Sequence, residues 1–521
     1  MASRRIEGVM TERLINVGDW IRQWSAIKPN ETAIISDDRP CSYRELDKRI
    51  NRLSHYLIDA GVRNGDRVAV LLHNCKEYIE IFFALSKLGA IMVPLNWRLA
   101  VPEIKFIVED SGSKTLIFEG EFAESISILK AQTRIETYIV CNQDGKSAIP
   151  EWAPDYESSL SGRPDTEPDI RGTGDADPHI IMYTSGTTGL PKGATLSHRK
   201  TFFNVLNSDM FYDLTTKDVM IIARPMFHSG GLIVDSAPVL YKGGTIIVRR
   251  RFSPVEILET VQKYKVTILE LPATVYQFIL NQCDLSRYDL SSIRCCFTGG
   301  ERVPVYLLEE LSRRGLVVSQ IYGLTEASTL FWLPTHEAVK KMGSVGHPIF
   351  HGRVKIVDEK GNEVKPGESG EIVVKGPIVM NGYWKRRDLT DEVIKDGWFY
   401  TGDIARMEDG FVYIMDRKKD MYISGGENVY PAEIEKVLLS HPAVVDAAVV
   451  GISDEKWGEV GKAFIVLKGG GKATAEEIRA YLEGKLAKYK VPKYIDFTDA
   501  LPKTASEKIR KYLLKSNHGG R

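Results

Sequence analysis

Helical and extended hydrophobic patterns alternate along most of the chain. Residues 42–58 have apolar side chains at helical spacing, and Ser42 and Glu45 are spaced as in a capping box. Arg67–Leu72 is a short apolar run typical of a buried strand. Further helices are predicted at Glu77–Leu88, Val101–Asp110, Phe202–Asp209, Ser253–Tyr264, Ala273–Asn281 and Pro304–Arg314, and further strands at Ile91–Leu95, Thr115–Phe118, His179–Tyr183, Val219–Ala223, Thr245–Val248, Ile268–Leu271, Ile293–Thr298 and Val317–Ile321. The alternation predicts an α/β fold with mostly parallel strands.

The pattern changes after Gly343. Short alternating strands separated by glycine turns, Arg353–Val357 and Gly370–Lys375, predict an antiparallel β subdomain. Another change near Asp416–Asp420 precedes a compact α+β unit. We therefore predict an N-terminal domain over residues 1–416, made of α/β sheets and a β subdomain, and a small C-terminal domain over residues 421–521.

Composition excludes several classes of function and location but does not identify the activity. The 521 residues carry 69 Lys plus Arg and 69 Asp plus Glu, and this balance disfavours nucleic acid as the main partner. The six cysteines include no C-x-x-C pair, which disfavours a zinc site and fits a reducing cytosol. The N-terminus lacks the apolar segment of a secretory signal, and Ile81–Leu95 is too short for a membrane span. We therefore predict a cytoplasmic protein with no transmembrane segment.

A loop rich in glycine and hydroxyl side chains follows the predicted strand His179–Tyr183. Its glycines permit close approach to a ligand, its hydroxyls and backbone amides suit phosphate oxygens, and its lysine adds a positive charge. The candidate nucleotide-binding residues of this loop are Thr184, Ser185, Gly186, Thr187, Thr188, Gly189 and Lys192. The spacing excludes a Walker A loop, because Pro191 stands where the second glycine is required.

Glu326 follows the predicted strand Val317–Ile321, at the edge where α/β sheets bind ligands. A carboxylate there can bind Mg²⁺, which prefers few carboxylates together with phosphate oxygens. The alternative is a residue at a helix N-terminus that balances the helix dipole. The neighbouring phosphate loop favours Mg²⁺.

Five blocks together resemble the acyl-adenylate-forming (AMP-binding) superfamily, which includes acyl-CoA synthetases, aryl-CoA ligases, luciferases and adenylation domains. The resemblance runs from about residue 20 to the end of the chain. The blocks occur in the family order at Tyr183–Gly193, Tyr322–Glu326, Tyr400–Asp403, Asp416–Glu435 and Pro502–Lys511. It implies an ATP-dependent and Mg²⁺-dependent adenylation of a carboxylic acid, followed by acyl transfer to the thiol of coenzyme A.

The resemblance also assigns roles to individual residues. It implies that Thr325 contacts the α-phosphate, that Glu326 binds the metal and that Lys508 is the catalytic lysine of the last block. Glu507 stands where that block usually has glycine, which leaves the local backbone conformation open. The implied nucleotide-binding residues are Gly299, Gly300 and Glu301 beside the adenine, Tyr322 stacked on the base, Gly323 next to it, and Asp403 and Arg417 at the ribose.

The family also implies movement between the two half-reactions. Lys419 matches the hinge position, so residues 417–420 are the predicted hinge and residues 421–521 a mobile lid. After rotation, Gly425 and Gly426 would line the tunnel for the pantetheine arm of CoA.

His228 bears on which acid is bound. Amino-acid-activating relatives have an aspartate in the Met226–His228 block, so His228 favours an acyl or aryl acid and resembles the gating residue of CoA ligases. Because Gly230 and Gly231 would leave space at the acyl pocket, we predict a medium-chain or long-chain fatty acid. The alternatives are a 4-coumarate-like or benzoate-like aryl acid, a stand-alone adenylation enzyme that loads a carrier protein, and a luciferase-like oxygenase. A monomer or homodimer with possible peripheral membrane contact is expected.

Overall fold

Two large sheets and their helices form the body of the protein, which we describe from a computed structural model. The structure describes residues 15–142, 149–169, 173–184, 191–301, 303–424, 427–454, 457–469, 472–483, 485–503 and 509–516. The α-helices of eight or more residues are Trp20–Ile27, Tyr43–Asp59, Lys76–Leu88, Val101–Ser111, Ala123–Lys130, His198–Tyr212, Pro254–Tyr264, Ala273–Gln282, Val305–Arg313, Pro431–Leu439 and Ala475–Glu483. Shorter ones are Tyr156–Leu160, Ala237–Lys242, Arg387–Val393 and Lys511–Ser516.

The first sheet has seven strands. In spatial order they are Gly382–Tyr383, Lys192–Ser197, Pro178–Thr184, Ile91–Pro94, Arg67–Leu71, Thr115–Glu119 and Thr137–Cys141. The five strands from Pro178–Thr184 onward are parallel, whereas the two edge strands before it are antiparallel to their neighbours. The parallel strands are almost fully buried, which explains why they read as continuous apolar runs.

The second sheet has nine strands, and as in the first sheet its central strands are parallel to one another. Their spatial order is His347–Pro348, Ser328–Trp332, Val318–Leu324, Cys295–Gly299, Ile268–Glu270, Val219–Ile222, Thr245–Val248, Thr32–Ser36 and Arg39–Ser42. A common hydrophobic core, containing Val70 of the first sheet and Phe297 of the second, joins the two sheets. The ends of strands Pro178–Thr184 and Val318–Leu324 lie close together, since Thr184 donates a hydrogen bond to Glu326.

Two smaller units follow, one an antiparallel sheet and the other a mixed sheet in which only Tyr494–Phe497 pairs parallel to its neighbour. Strands Arg353–Val357, Ser369–Lys375, Ile394–Lys395, Trp398–Glu408 and Phe411–Arg417 form the predicted β subdomain. Strands Tyr422–Ser424, Glu427–Val429, Val444–Asp454, Gly458–Leu467 and Tyr494–Phe497 form the sheet of the C-terminal unit. Its own buried cluster includes Tyr422, Ile434 and Ile478. The predicted fold class is confirmed: a large α/β N-terminal domain is followed by a small α+β domain.

Sequence patterns located the strongest elements closely. The helix predicted over residues 42–58 is Tyr43–Asp59, and the Ser42 side chain accepts a hydrogen bond from the Glu45 backbone amide. The first strand pair, Thr32–Ser36 with Arg39–Ser42, was not predicted, because both strands are short and the second, with arginine, proline and serine, resembles a loop. A π-helix at Gly230–Ser236 also carried no recognisable pattern.

Candidate active site

Glu326 lies where the two large sheets meet. Thr184, the last residue of strand Pro178–Thr184, donates a hydrogen bond to Glu326 Oε1 at 3.3 Å. Tyr383, from the edge strand of the same sheet, donates to that oxygen at 3.1 Å. The Met380 backbone amide donates to the Glu326 carbonyl at 2.7 Å. Glu326 is therefore held by residues from distant parts of the chain.

A tight β-hairpin turn carries this carboxylate. Strands Val318–Leu324 and Ser328–Trp332 pair antiparallel, so Thr325 and Glu326 lie in the turn between them, and the helix N-terminus considered for Glu326 is wrong. Ser328 has a φ of +60°. A Cβ on Gly323 would lie 2.3 Å from the Ser328 carbonyl oxygen, which explains the glycine. Thr325 Oγ1 faces Ser229 Oγ at 3.5 Å.

The donor set around Glu326 suits Mg²⁺. Both side-chain hydrogen bonds reach Oε1, and no described residue hydrogen-bonds to Oε2. One carboxylate oxygen is thus available beside Thr184, and Mg²⁺ favours one or two carboxylates completed by phosphate oxygens and water. Lys192, at the other end of the loop, lies with Nζ 5.4 Å from the centre of the Tyr383 ring.

Asp403 is the centre of a second polar cluster and is 3% exposed. It lies opposite Arg417 on the paired strands Trp398–Glu408 and Phe411–Arg417. Its Oδ1 is 2.5 Å from Arg417 Nε, and its Oδ2 accepts a hydrogen bond from the Tyr322 hydroxyl. Burial, and then the Asp403 charge, raise the pKa of Tyr322 well above its ordinary value, so its hydroxyl remains a donor. The structure therefore brings together three of the residues predicted around adenine and ribose, Tyr322, Asp403 and Arg417.

The segment predicted beside adenine lies at the end of strand Cys295–Gly299. A Cβ on Gly299 would lie 2.5 Å from the Ile321 carbonyl oxygen, so glycine allows close packing of the neighbouring strand. Gly300 has a φ of +83° in an open position. Glu301 is exposed, and its Oε1 accepts a hydrogen bond from the Thr274 backbone amide at 3.4 Å.

His228 lies among aromatic side chains. Its ring centre is 4.3 Å from that of Phe227, which in turn makes an edge contact with Trp97 at 6.3 Å. Gly230 and Gly231 do not support the prediction that these glycines leave space for a long acyl chain. A Cβ on Gly230 would lie 2.9 Å from Arg224 Cζ, and one on Gly231 would lie 2.6 Å from two backbone carbonyl oxygens. Their missing side chains are needed for packing behind the segment, so they give no reason to prefer a long acyl chain.

The segment predicted as a hinge is exposed. Lys419 is exposed, and the amides of Asp420 and Met421 donate to the Arg417 carbonyl to form a turn. Just before it, Asp416 Oδ1 accepts from the Arg417 amide at 2.7 Å. Its Oδ2 accepts from the Ala432 amide at 2.6 Å, at the start of helix Pro431–Leu439. Asp416 thereby connects the β subdomain to the C-terminal unit.

Several predicted residues cannot be placed. Ser185, Gly186, Thr187, Thr188, Gly189, Gly425, Gly426 and Lys508 lie outside the described residues. In contrast, Tyr383 was missed by the sequence analysis, because nothing in its short segment distinguishes it from a packing residue. Within the described ranges, no helix combines the length and apolar composition needed to cross a bilayer.

Comparison with known proteins covers nearly the whole chain. The AMP-binding enzyme family matches residues 21–384, and the AMP-binding enzyme C-terminal domain matches residues 433–508. The chain is 40% identical over 505 residues to a feruloyl-CoA synthase from Amycolatopsis sp., covering 96% of this chain and 99% of that protein. It is 37% identical over 499 residues to indoleacetate–CoA ligase from Aromatoleum aromaticum, covering 95% and 97%.

Solved structures agree with these relatives. The o-succinylbenzoate CoA synthetase of Bacillus subtilis, in complex with its acyl-adenylate intermediate, superposes with a TM-score of 0.84 at 34% identity, covering 96% of this chain and 99% of that chain. The same enzyme has been solved with ATP and a magnesium ion.

These findings confirm the predicted family and the AMP-forming acid–thiol ligase class. They do not support the fatty-acid prediction, because the relatives named above are ligases of aryl acids, and they favour the aryl-acid alternative. The chain belongs to the AMP-binding enzyme family.

Proposed function

We propose that this enzyme is an aryl-acid–CoA ligase. Its co-substrates are ATP and coenzyme A, and its metal ion is Mg²⁺. In the first half-reaction a carboxylate oxygen of the acid attacks the α-phosphorus of ATP, giving acyl-AMP and releasing pyrophosphate. In the second, the CoA thiol attacks the acyl carbonyl, the thioester forms and AMP leaves.

The observation that carries the choice of acid is similarity over nearly the full length to ligases named for feruloyl, indoleacetate and o-succinylbenzoate substrates. The aromatic contacts of Phe227 with His228 and Trp97 fit this choice, since aromatic rings pack favourably edge to face on one another. The packing of Gly230 and Gly231 removes the sequence argument for a long chain.

For adenylation we assign the two polar clusters to the two ends of the nucleotide. Asp403 and Arg417 hold the ribose beside Tyr322, while Gly299, Gly300 and Glu301 border the adenine. Thr184, Thr325 and Lys192 face the phosphates, and Lys508 stabilises the charge that develops on the α-phosphate. Glu326 would hold the Mg²⁺, which neutralises negative charge on the phosphates when it is bound.

For thioester formation we assign residues 417–420 as the hinge between a domain over residues 1–416 and a lid over residues 421–521. Rotation at Lys419 would withdraw Lys508 and bring Gly425 and Gly426 to the site. His228 would then gate the path between the thiol and the acyl-AMP. Opening and closing motions of this kind commonly separate the steps of such enzymes.

A panel of acids tests the proposal. Ferulate, indoleacetate, 2-succinylbenzoate, benzoate and straight-chain fatty acids are each supplied with ATP and CoA, and pyrophosphate release and thioester mass are measured. We expect the highest kcat/KM with an aryl acid. A fatty acid with the highest value would refute the aryl assignment, and pyrophosphate release without a CoA thioester would point instead to a carrier-protein acceptor.

A further inference from the structure

Lys200 is a fully buried lysine next to the hairpin that carries Glu326. It is the third residue of helix His198–Tyr212 and is 1% exposed. Its Nζ donates a hydrogen bond to Ser328 Oγ at 2.5 Å. In the sequence it resembles an ordinary helix lysine, so only the fold reveals this contact.

The same face of the helix anchors the hairpin at a second point. Asn204, one turn after Lys200, accepts a hydrogen bond from the Thr329 backbone amide at 3.4 Å. Asn204 Nδ2 donates a hydrogen bond to the Ile233 carbonyl at 3.0 Å, which fixes the orientation of the side chain. Lys200 and Asn204 therefore contact the first two residues of the strand after the turn, Ser328, whose φ is +60°, and Thr329.

Glu326 is consequently supported from two sides. Thr184 and Tyr383 hold one oxygen of its carboxylate, whereas Lys200 binds the side chain of Ser328, the residue at the end of its turn. A left-handed backbone at a non-glycine residue is unfavourable, so such a turn needs surrounding contacts to keep one conformation. The Lys200 hydrogen bond supplies one of them.

The cost of burying Lys200 argues that it is more than a packing residue. No described residue forms an ion pair with it, although Glu326 is close enough to favour its charged form. Lys87, the other fully buried lysine among the largest buried side chains, has an ion pair with Glu167 at 2.7 Å. Burying a lysine without a paired carboxylate is costly, because its ammonium is either desolvated or loses its proton, whereas an ion pair recovers much of that cost.

We propose that Lys200 is a positioning residue for the metal site: through Ser328 it fixes the turn that presents the Glu326 carboxylate to Mg²⁺ on the ATP phosphates. This inference rests on the proposed role of Glu326. It assigns to Lys200 no contact with ATP or with the metal.

Binding of the non-hydrolysable analogue α,β-methylene-ATP separates metal affinity from activity. Its Kd is measured by calorimetry with Mg²⁺ and with EDTA, for the wild type, Lys200→Met, Ser328→Ala, Glu326→Gln and the control Lys87→Met. We expect Lys200→Met to lose about tenfold of the affinity gained from Mg²⁺, as is usual when support of a metal ligand is removed, with little change in EDTA. Ser328→Ala should change in the same direction, and Lys87→Met should retain the full gain.

The outcomes distinguish the inference from the function on which it rests. If Glu326→Gln loses the Mg²⁺ gain but Lys200→Met keeps or increases it, the inference is wrong and the role of Glu326 stands. If Glu326→Gln keeps the gain, the proposed metal role of Glu326 is wrong. If Lys200→Met does not fold, Ser328→Ala decides, and an undiminished gain in that variant overturns the inference.

Discussion

Replacing Lys200 by methionine should change how the stability of the protein depends on pH. Burial lowers the pKa of Lys200 from 10.5 to about 7, and the nearby Glu326 opposes part of this shift. Between these values the unfolded chain binds more protons at this residue than the folded chain does. The free energy of unfolding therefore rises with pH across this window because of Lys200.

The size of the effect follows from the shift. A pKa change from 10.5 to about 7 makes the contribution of Lys200 less unfavourable by about 2 kcal/mol when the pH rises from 7 to 9. His179, a titratable neighbour of Lys200, does not contribute in this window, because burial holds its pKa well below its ordinary value. Methionine has a similar length and no charge, so its stability lacks this pH-dependent contribution.

Urea unfolding at pH 7, 8 and 9 measures this directly. From pH 7 to pH 9 the unfolding free energy of the wild type should rise by about 2 kcal/mol relative to that of Lys200→Met. Loss of the Ser328 hydrogen bond adds a constant offset, which does not affect the slope. A difference that stays constant across this range would refute the argument, because it would mean that Lys200 is not held in a desolvated site.

Three further substitutions test the proposed roles. Asp403→Asn should raise the KM for ATP about tenfold, since a charge-assisted hydrogen bond is lost; an unchanged KM would exclude a ribose contact. Lys508→Ala should abolish pyrophosphate release but leave thioester formation from supplied acyl-AMP, and equal loss of both steps would contradict its assignment. Lys419→Pro should slow the thioester step while acyl-AMP still accumulates in a burst, and an unaffected CoA step would argue against a hinge there.

The sequence predicted best those elements that one local pattern determines. The Ser42 cap and the apolar face after it defined one helix, and buried parallel strands appeared as continuous apolar runs. The hairpin around Thr325 and Glu326 was harder, because a strand end followed by a small polar segment resembles the entrance of a helix. Only the pairing of Val318–Leu324 with Ser328–Trp332 resolves it.

Contacts between distant segments were beyond the sequence. Tyr383 reaches Glu326 because its two-residue strand adds to the edge of the first sheet, next to Lys192–Ser197. Lys200 is buried because its helix is covered on the side where a lysine would ordinarily face water. Neither position departs from an ordinary local pattern, so no reading of neighbouring residues could have identified it.

The two hydrogen bonds of Asp416 have an energetic consequence for the proposed hinge. Turning the chain at residues 417–420 would separate Asp416 from the Ala432 amide, which lies beyond the hinge. A hydrogen bond to a charged group contributes only about 1.5–3 kcal/mol, comparable with a tenfold to hundredfold change in the ratio of two conformers. Binding of one substrate or release of pyrophosphate can supply a difference of that size, so each chemical step could reset the balance between the orientations without unfolding either domain.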